Sequence, residues 1–365
     1  MSAIQEKLIQ IEQWLDEQHA EALVIGRREN FAWLTEGQES GIMLSMDLGF
    51  VYLVITKREK YVVAMRADIR KATEELLKDA GFTPVEVIWG GESKEDAVLR
   101  LLDGKKAIAD MSLPNVKMDM YSIYDMQYPL SASVMKTYQE IGKECADIMY
   151  QTAIQVKAGM TENQIANILK KECLKYDVEL DVLIIGADDR IKKYRHCTPT
   201  NTVCKQVVLI SPVFRKYGLH VNLARMICFN EIPESTRGVY DMVSQIQAEI
   251  IVHSKSGVLF SDIYDLQEKM YHDYNYEHEW KTHMHGAPIG YMISHGDVLF
   301  RKEAVMKKNQ AYEWYVTITG AKSAELILNI EDTIEVASLD NQWPVKSFVT
   351  ESGHTIELPD ILVLK

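Results

Sequence analysis

The chain has 365 residues, 47% of them apolar and 25% charged, and its 40 basic and 53 acidic side chains give a formal net charge of −13. This length predicts two domains, and the acidity argues against nucleic acid or an anionic membrane as a partner. No apolar run approaches ~20 residues, so we expect no segment that spans a bilayer. The N-terminal segment has acidic residues at helical periodicity and does not resemble a signal peptide, so we expect a cytoplasmic protein.

The first part of the chain alternates predicted helices and strands. Ile4, Leu8, Ile11 and Leu15 form one apolar stripe, which predicts an amphipathic opening helix. Alternation of this kind predicts an α/β domain with a mixed sheet. The predicted helices cover residues 4–18, 30–35, 67–80 and 95–102, and the predicted strands cover residues 22–25, 49–55, 61–65, 85–89 and 107–110.

Apolar periodicity fades between Pro114 and Pro129, so we place a domain boundary there, with domains at residues 1–128 and 129–365. Thr161 is the predicted N-cap of a helix with Glu162 in its first turn. The second domain is predicted to begin with helices and to continue with a largely antiparallel sheet, which makes the whole chain α+β. Its predicted helices cover residues 133–159, 161–176, 234–253 and 263–271, and its predicted strands cover residues 180–185, 206–212, 219–226, 312–318 and 326–328.

Five cysteines form an odd number without a close CxxC pair, which is typical of reduced thiols in a cytoplasmic protein. One of them, Cys197, follows His196 directly. It is either an activated nucleophile or a small side chain that fills space, and the second interpretation is the default. The five are Cys145, Cys173, Cys197, Cys204 and Cys228.

A histidine-rich segment leads into a β-rich region near the C-terminus. His283 and His285 precede Gly286 and Gly290, and His295 follows soon after. Glycine allows the tight turns that bring such side chains together, and histidine carries protons near neutral pH. We therefore expect this segment and the strand after it to line a small-molecule site.

Several segments, in the same order along the chain, resemble the creatinase, prolidase and aminopeptidase P family. They are AGMTENQIANIL at residues 158–169, RHCTPT at residues 195–200, residues 218–225, and TGAKSAE at residues 319–325, together with the opening helix and residues 30–35. The resemblance implies an N-terminal creatinase-like domain and a C-terminal pita-bread domain. It also implies a homodimer.

Active metallopeptidases of this fold hold two divalent metals with two aspartates, one histidine and two glutamates. The resemblance places Ser211 and Asn222 at the aspartate positions and Tyr315 at the first glutamate position. The second glutamate position falls on Ala324 or, with a slip of one residue, on Glu325. Neutral side chains cannot offset the charge of two dications, so we expect no metal cofactor.

Creatinase, as the resemblance implies, works on the same scaffold without metal and uses a histidine at the position of His196. We therefore predict His196 as general acid and base. His283 and Glu313 are predicted to join it in catalysis, since alternation along residues 312–318 puts Glu313 and Tyr315 on one face. Residues predicted to bind substrate are His285, Arg225, Lys322, Tyr291 and Tyr315.

Three functions stay open from the sequence. The first is a metal-independent hydrolase that cleaves a C–N bond in a small amide, amidino or amino-acid-like substrate. The second is an Xaa-Pro peptidase with a remodelled metal site, for example a single metal held by His283, His285 and one of His196, His220 or Glu313. The third is a non-catalytic protein that binds a small molecule or a protein partner in the pocket that corresponds to the active site of the family's enzymes.

Overall fold

The computed structural model describes residues 2–365. They form two compact units, the first ending at Tyr128 and the second spanning Pro129–Lys365. Within the described residues, every helix is too short or too polar to cross a membrane.

The first unit is a six-stranded mixed sheet with helices packed against it. Its strands lie in the order β4-β3-β2-β1-β5-β6, with β1–β2 and β2–β3 antiparallel and the other pairs parallel. The mixed sheet predicted from the sequence is therefore confirmed. The strands are β1 (Ala22–Arg27), β2 (Leu48–Thr56), β3 (Lys60–Met65), β4 (Thr83–Val87), β5 (Ala107–Ala109) and β6 (Lys117–Met118), and the helices are α1 (Ala3–Glu17), α2 (Arg28–Thr35), α3 (Ile69–Lys71), α4 (Lys94–Leu102) and α5 (Met120–Met126).

The predicted opening helix is confirmed as α1, which begins after Ser2, whose side chain accepts from the backbone N–H of Gln5. The predicted helix over residues 67–80 is wrong in extent. Only α3 is α-helical there, and it continues as a π-helical turn over Ala72–Leu76. The Leu77 N–H closes this wider turn on the Ala72 carbonyl, and Asp79, with φ of 61°, then turns the chain away.

The second unit has helices first and largely antiparallel sheets after them, as predicted; β10 and β17 form a parallel pair. One sheet has the order β17-β10-β8-β7 with β9 paired to β8, a second has the order β11-β12-β13-β14, and β15 pairs with β16. The helices are α6 (Ala132–Ala153), α7 (Glu162–Leu174), α8 (Asp189–Lys193), α9 (Glu234–His253), α10 (Phe260–Asp273) and α11 (Glu277–Trp280), with a 3₁₀ turn at Gly296–Phe300. The strands are β7 (Glu179–Ala187), β8 (Val207–Lys216), β9 (Leu219–Asn222), β10 (Arg225–Phe229), β11 (Pro288–Ile289), β12 (Gln310–Ile318), β13 (Ala321–Ile330), β14 (Thr333–Val336), β15 (Val345–Val349), β16 (Thr355–Pro359) and β17 (Leu362–Leu364).

Two helix predictions in this unit have different outcomes. Thr161 is confirmed as the N-cap of α7, in a capping box with Gln164. The predicted helix over residues 133–159 is too long, because α6 ends at Ala153. The chain then makes turns up to Gly159, which has φ of 91°.

The predicted single strand over residues 219–226 is wrong, because two strands replace it. β9 pairs with the second half of β8 and β10 with its first half. Between them the Ala224 N–H donates to the carbonyl of Ala324 on β13, at 3.0 Å. This bridge brings the two larger sheets of the unit together at Asn222, where β9 ends.

One hydrophobic cluster of this unit is formed largely by apolar side chains of β10, β12 and β13 packed against α9 and α10. Trp314, Ile246 and Tyr271 are fully buried members of this cluster. Buried polar side chains need hydrogen-bond partners. Those at the edge of this core form the candidate site.

Candidate functional site

The hairpin formed by β12 and β13 places three candidate residues on one face. Glu313 lies opposite Leu326, Tyr315 opposite Ala324, and Thr317 opposite Lys322. Because side chains alternate along a strand, Glu313, Tyr315 and Lys322 share this face. We give the name central pocket to the cluster that these three side chains form with Ser211 and Asn222.

Glu313 is a buried acid with one oxygen left open. Its side chain is 3% exposed, and Oε2 accepts from Nδ2 of Asn222 at 2.8 Å. Within residues 2–365, neither its Oε1 nor Oδ1 of Asn222 has a hydrogen-bond partner. Burial raises the pKa of Glu313 to about 7, although the amide of Asn222, the hydroxyl of Ser294 and the positive charge of Lys322 each act to lower it. A group with this pKa exchanges protons near neutral pH.

Lys322 supplies a positive charge to the same pocket. Its Nζ lies 2.8 Å from Oγ of Ser211 and 5.1 Å from the ring centroid of Tyr315. Burial lowers the pKa of Lys322 to about 8, and the negative charge of Glu313 opposes that shift. The ammonium is therefore mostly charged at pH 7.

Two predicted histidines are brought together. Nε2 of His196 lies 2.9 Å from Nε2 of His283, and the ring of His283 lies edge-on to Tyr315 at 5.4 Å between centroids. Nδ1 of His283 contacts the Met284 carbonyl, which can only accept, so we assign the proton of His283 to Nδ1. Its Nε2 then accepts from His196, and Nδ1 of His196 keeps its lone pair.

Both histidines are biased towards the neutral form. Burial lowers the pKa of His196, and the charges of Lys322 and Arg195 lower it further. The same burial effect lowers the pKa of His283, despite its bond to the Met284 carbonyl. At pH 7 the pair is therefore a base, whereas Glu313 still holds a proton in a large fraction of molecules.

His285 does not join the pocket. The sequence interpretation put His283 and His285 on one side of a strand, but both lie in an irregular connection. The ring of His285 stacks on Trp280 at 4.2 Å, with Nε2 at 2.6 Å from the Trp280 carbonyl and Nδ1 at 3.2 Å from the Tyr271 hydroxyl. Burial lowers the pKa of His285 to about 4. Protein groups occupy both of its nitrogens.

Arg225, predicted to anchor a substrate, is bound to a protein carboxylate instead. It pairs with Glu325, and both side chains are almost fully buried. Its Nη2 donates to Oε2 of Glu325 at 3.1 Å and to the Ser338 carbonyl at 3.1 Å. Since Glu325 faces away from Glu313 on the hairpin, this pair lies on the other face of the sheet.

The remaining candidates are simpler. Tyr291 is buried two residues after the end of β11. All five cysteines are buried free thiols, as predicted. The Cys197 thiol contacts two carbonyl oxygens at 3.3 Å, and burial raises its pKa. Those contacts support the packing interpretation over the nucleophile.

Sequence reasoning missed Ser294 and the active part played by Asn222. The Ser294 hydroxyl lies close enough to the Glu313 carboxyl to lower its pKa, but within residues 2–365 it makes no hydrogen bond of ordinary geometry. Asn222 is the last residue of β9, and Ser294 directly precedes His295 in the irregular segment after β11. A polar residue at a strand end and one beside a histidine were the available signals.

Residues 136–338 match the family described as Metallopeptidase family M24. The chain belongs to metallopeptidase family M24. The predicted family resemblance is thereby confirmed, as is the predicted α+β pita-bread fold class. No curated protein matches the sequence significantly.

Solved structures share the M24 fold over nearly the whole chain. An Xaa-Pro dipeptidase from Bacillus anthracis has 14% identity and a TM-score of 0.76, with 99% of this chain and 100% of that chain covered. A prolidase from Pyrococcus horikoshii OT3 has 16% identity and a TM-score of 0.76, with 92% and 99% covered. The N-terminal domain of the FACT complex subunit SPT16 from chickpea has 11% identity and a TM-score of 0.71, with 92% and 96% covered.

The M24 family name implies a metal, but the donors in the central pocket do not fit a pair of divalent ions. Ser211, Asn222, Tyr315 and Ala324 stand at four of the ligand positions that the resemblance implies, and none of these four side chains is a carboxylate. Throughout residues 2–365, no three His, Cys, Asp or Glu side chains are arranged to hold a metal ion. Hard dications need several carboxylates, so we derive no chemical step through a metal.

Proposed function

We propose that this M24 protein is a metal-independent hydrolase that cleaves a C–N bond in a small amide, amidino or amino-acid-like substrate. The observation that carries the proposal is Glu313, a buried acid with a pKa of about 7 whose Oε1 has no hydrogen-bond partner within residues 2–365. A carboxyl group kept protonated by burial is suited to donate a proton to a leaving nitrogen.

The histidine pair supplies the complementary base. Nδ1 of His196 accepts a proton from the attacking water, and its Nε2–H shares the new charge with His283 at 2.9 Å. Glu313 gives its proton to the nitrogen as the C–N bond breaks. The pKa values of the two sites are shifted in opposite directions, a pattern that commonly separates acid from base in an active site.

A hydrolysis screen tests this function. The purified protein, with EDTA present, is offered N-acyl amino acids, small primary amides, amidino compounds and Xaa-Pro dipeptides. For any substrate found, Glu313→Gln is expected to lower kcat by about 100-fold or more, because a Gln amide cannot donate the proton. The matched control is Glu357→Gln, since Glu357 is an exposed acid on β16. A Glu313→Gln enzyme within about threefold of wild type would contradict the assignment.

A non-catalytic binding role is the second candidate, favoured by the absence of fitting metal donors. The SPT16 match concerns a domain of a complex subunit, so this fold also occurs outside proteins named as peptidases. An inactive screen combined with thermal stabilisation by one of the same compounds would favour this role.

The Xaa-Pro peptidase with a remodelled metal site has its own test. Stoichiometric manganese, zinc or cobalt in the purified protein, with Xaa-Pro cleavage that EDTA abolishes, would establish it in place of our proposal. We also propose a homodimer located in the cytoplasm, on the family resemblance and the composition. A monomeric mass in sedimentation equilibrium would contradict the dimer.

A further inference from the structure

Lys322 lies where the family resemblance implies metal charge. Its Nζ is 2.8 Å from Oγ of Ser211, which stands at the position of the first aspartate ligand. Along β13 it shares a face with Ala324, at the position of the second glutamate, and Ala324 lies opposite Tyr315. Ser211, Ala324 and Tyr315 stand at three metal-ligand positions without being carboxylates. The ammonium of Lys322 lies beside them, where the family resemblance implies a metal cation.

This ammonium is not neutralised by contact with an acid. In the described residues, Lys322 makes one hydrogen bond, to the neutral Ser211, and takes part in no ion pair. An ammonium has three N–H donors; Ser211 accepts from one of them, and the ring centroid of Tyr315 lies 5.1 Å from Nζ. Glu313 and Asn222 each present an unpartnered oxygen at the same pocket. A positive group and an acid thus face the pocket without touching each other.

We propose that Lys322 is the electrophile of this site, and that its ammonium replaces the divalent metals by holding the oxygen of a scissile carboxamide. The inference rests on the proposed function and narrows its substrate class. A carbonyl oxygen becomes negative as water adds, and a fixed ammonium stabilises that charge. An amidinium would instead bring a second positive charge to Lys322, so amidino substrates are excluded.

The bond changes are those of amide hydrolysis with water as the co-reactant. Water forms a C–O bond to the carbonyl carbon and gives one proton to Nδ1 of His196. The carbonyl π electrons move to oxygen, where Lys322 holds the oxyanion. When the carbonyl re-forms, the C–N bond breaks with its electron pair on nitrogen, and nitrogen takes the proton of Glu313. Proton exchange with solvent then resets His196 and Glu313.

Binding of a tetrahedral anion tests Lys322 without turnover. Calorimetry at pH 7 measures the Kd of aminomethylphosphonate for wild type, Lys322→Met, Lys322→Arg and the control Lys269→Met, in which an exposed pair with Asp273 is lost. We expect Lys322→Met to weaken binding by about 30-fold or more, because a charge-assisted hydrogen bond is lost. Lys322→Arg is expected to restore part of the affinity, and Lys269→Met to change nothing.

A merely structural Lys322 would give a different result. Its loss would lower Tm together with anion affinity, whereas an electrophile with one neutral partner can be replaced by Met without a fall in Tm. Anion binding by Lys322→Met within about threefold of wild type would overturn the inference, and so would failure of wild type to bind at about 10 mM.

Failure of this inference and failure of the proposed function are distinguishable. If aminomethylphosphonate binds through Lys322 but the amide screen is silent, the hydrolase fails and the anion site stands. If amides are hydrolysed and Lys322→Met keeps kcat/KM within about threefold, the hydrolase stands and the electrophile fails. Hydrolysis of amidino compounds in preference to amides would also overturn the inference.

Discussion

The two faces of the β12–β13 hairpin differ in whether their charged side chains form an ion pair. On one face, Arg225 and Glu325 form a buried ion pair, and Ser338 completes the hydrogen bonding of both. On the other, Glu313 and Lys322 share a pocket without pairing. The first arrangement satisfies its groups and holds structure, whereas the second leaves groups available for a ligand. One face of the hairpin therefore serves the stability of the fold, and the other face forms the candidate site.

The largest expected effect breaks the paired face. Arg225→Met leaves the carboxylate of Glu325 buried without a counter-charge, so we expect the free energy of unfolding to fall by about 3–5 kcal/mol. Urea denaturation at pH 7 measures this loss. The double variant Arg225→Met/Glu325→Leu should recover much of it, since neither charge then remains buried. Equal losses in the single and double variants would refute the comparison.

On the open face, removing the charge should stabilise the fold instead. The folded-state pKa of Glu313, about 7, is raised above the unfolded value of 4.5. Ionising Glu313 therefore costs stability, a cost absent below pH 4.5 and fully present above pH 7. We expect Glu313→Gln to be more stable than wild type by about 3 kcal/mol at pH 8 and nearly equal to it near pH 4.5.

Urea denaturation of both proteins at the two pH values measures this difference. The same variant is expected to lose activity, so stability and function should move in opposite directions. If Glu313→Gln is less stable than wild type at pH 8, the ionised Glu313 stabilises the fold and the prediction is wrong.

The smallest expected effect concerns the pH dependence of catalysis by the residues of the open face. The base is neutral His196, with its pKa lowered by burial, and the acid is protonated Glu313, with a pKa of about 7. A plot of kcat/KM against pH should be bell-shaped, with its maximum between those pKa values. On each side the rate should fall by about tenfold per pH unit. Glu313→Gln should remove the alkaline limb, and an unchanged limb would reassign the acid.

Much of this arrangement is predictable from period-two alternation. The sequence QAYEWYVTI reads as a strand, so Glu313 and Tyr315 had to share a face, and the register agrees. The same rule would have set Glu325 apart from Ala324, because neighbours on a strand point in opposite directions. Arg225 was predicted to bind substrate, but it pairs with Glu325. Nothing in the sequence reveals which carboxylate a buried arginine contacts.

Contacts in irregular connections could not be predicted. His285 stacks on Trp280 and binds its carbonyl, although the HMH spacing suggested that it would join His283. No periodicity governs side-chain direction outside helices and strands, so only the folded backbone decides it. The break at Ala224 was equally hidden, because its N–H bonds to another sheet and the apolar pattern runs on through it.

The bridge from Ala224 to Ala324 has a consequence for how the site holds its shape. It ties the strand end that carries Asn222 to the hairpin that carries Glu313 and Lys322. Main-chain atoms, which have little rotational freedom once hydrogen-bonded, therefore fix the clearance between opposing walls. A ligand bound there must fit the spacing between Asn222 and the hairpin, because the bridge limits how far these strands can move apart.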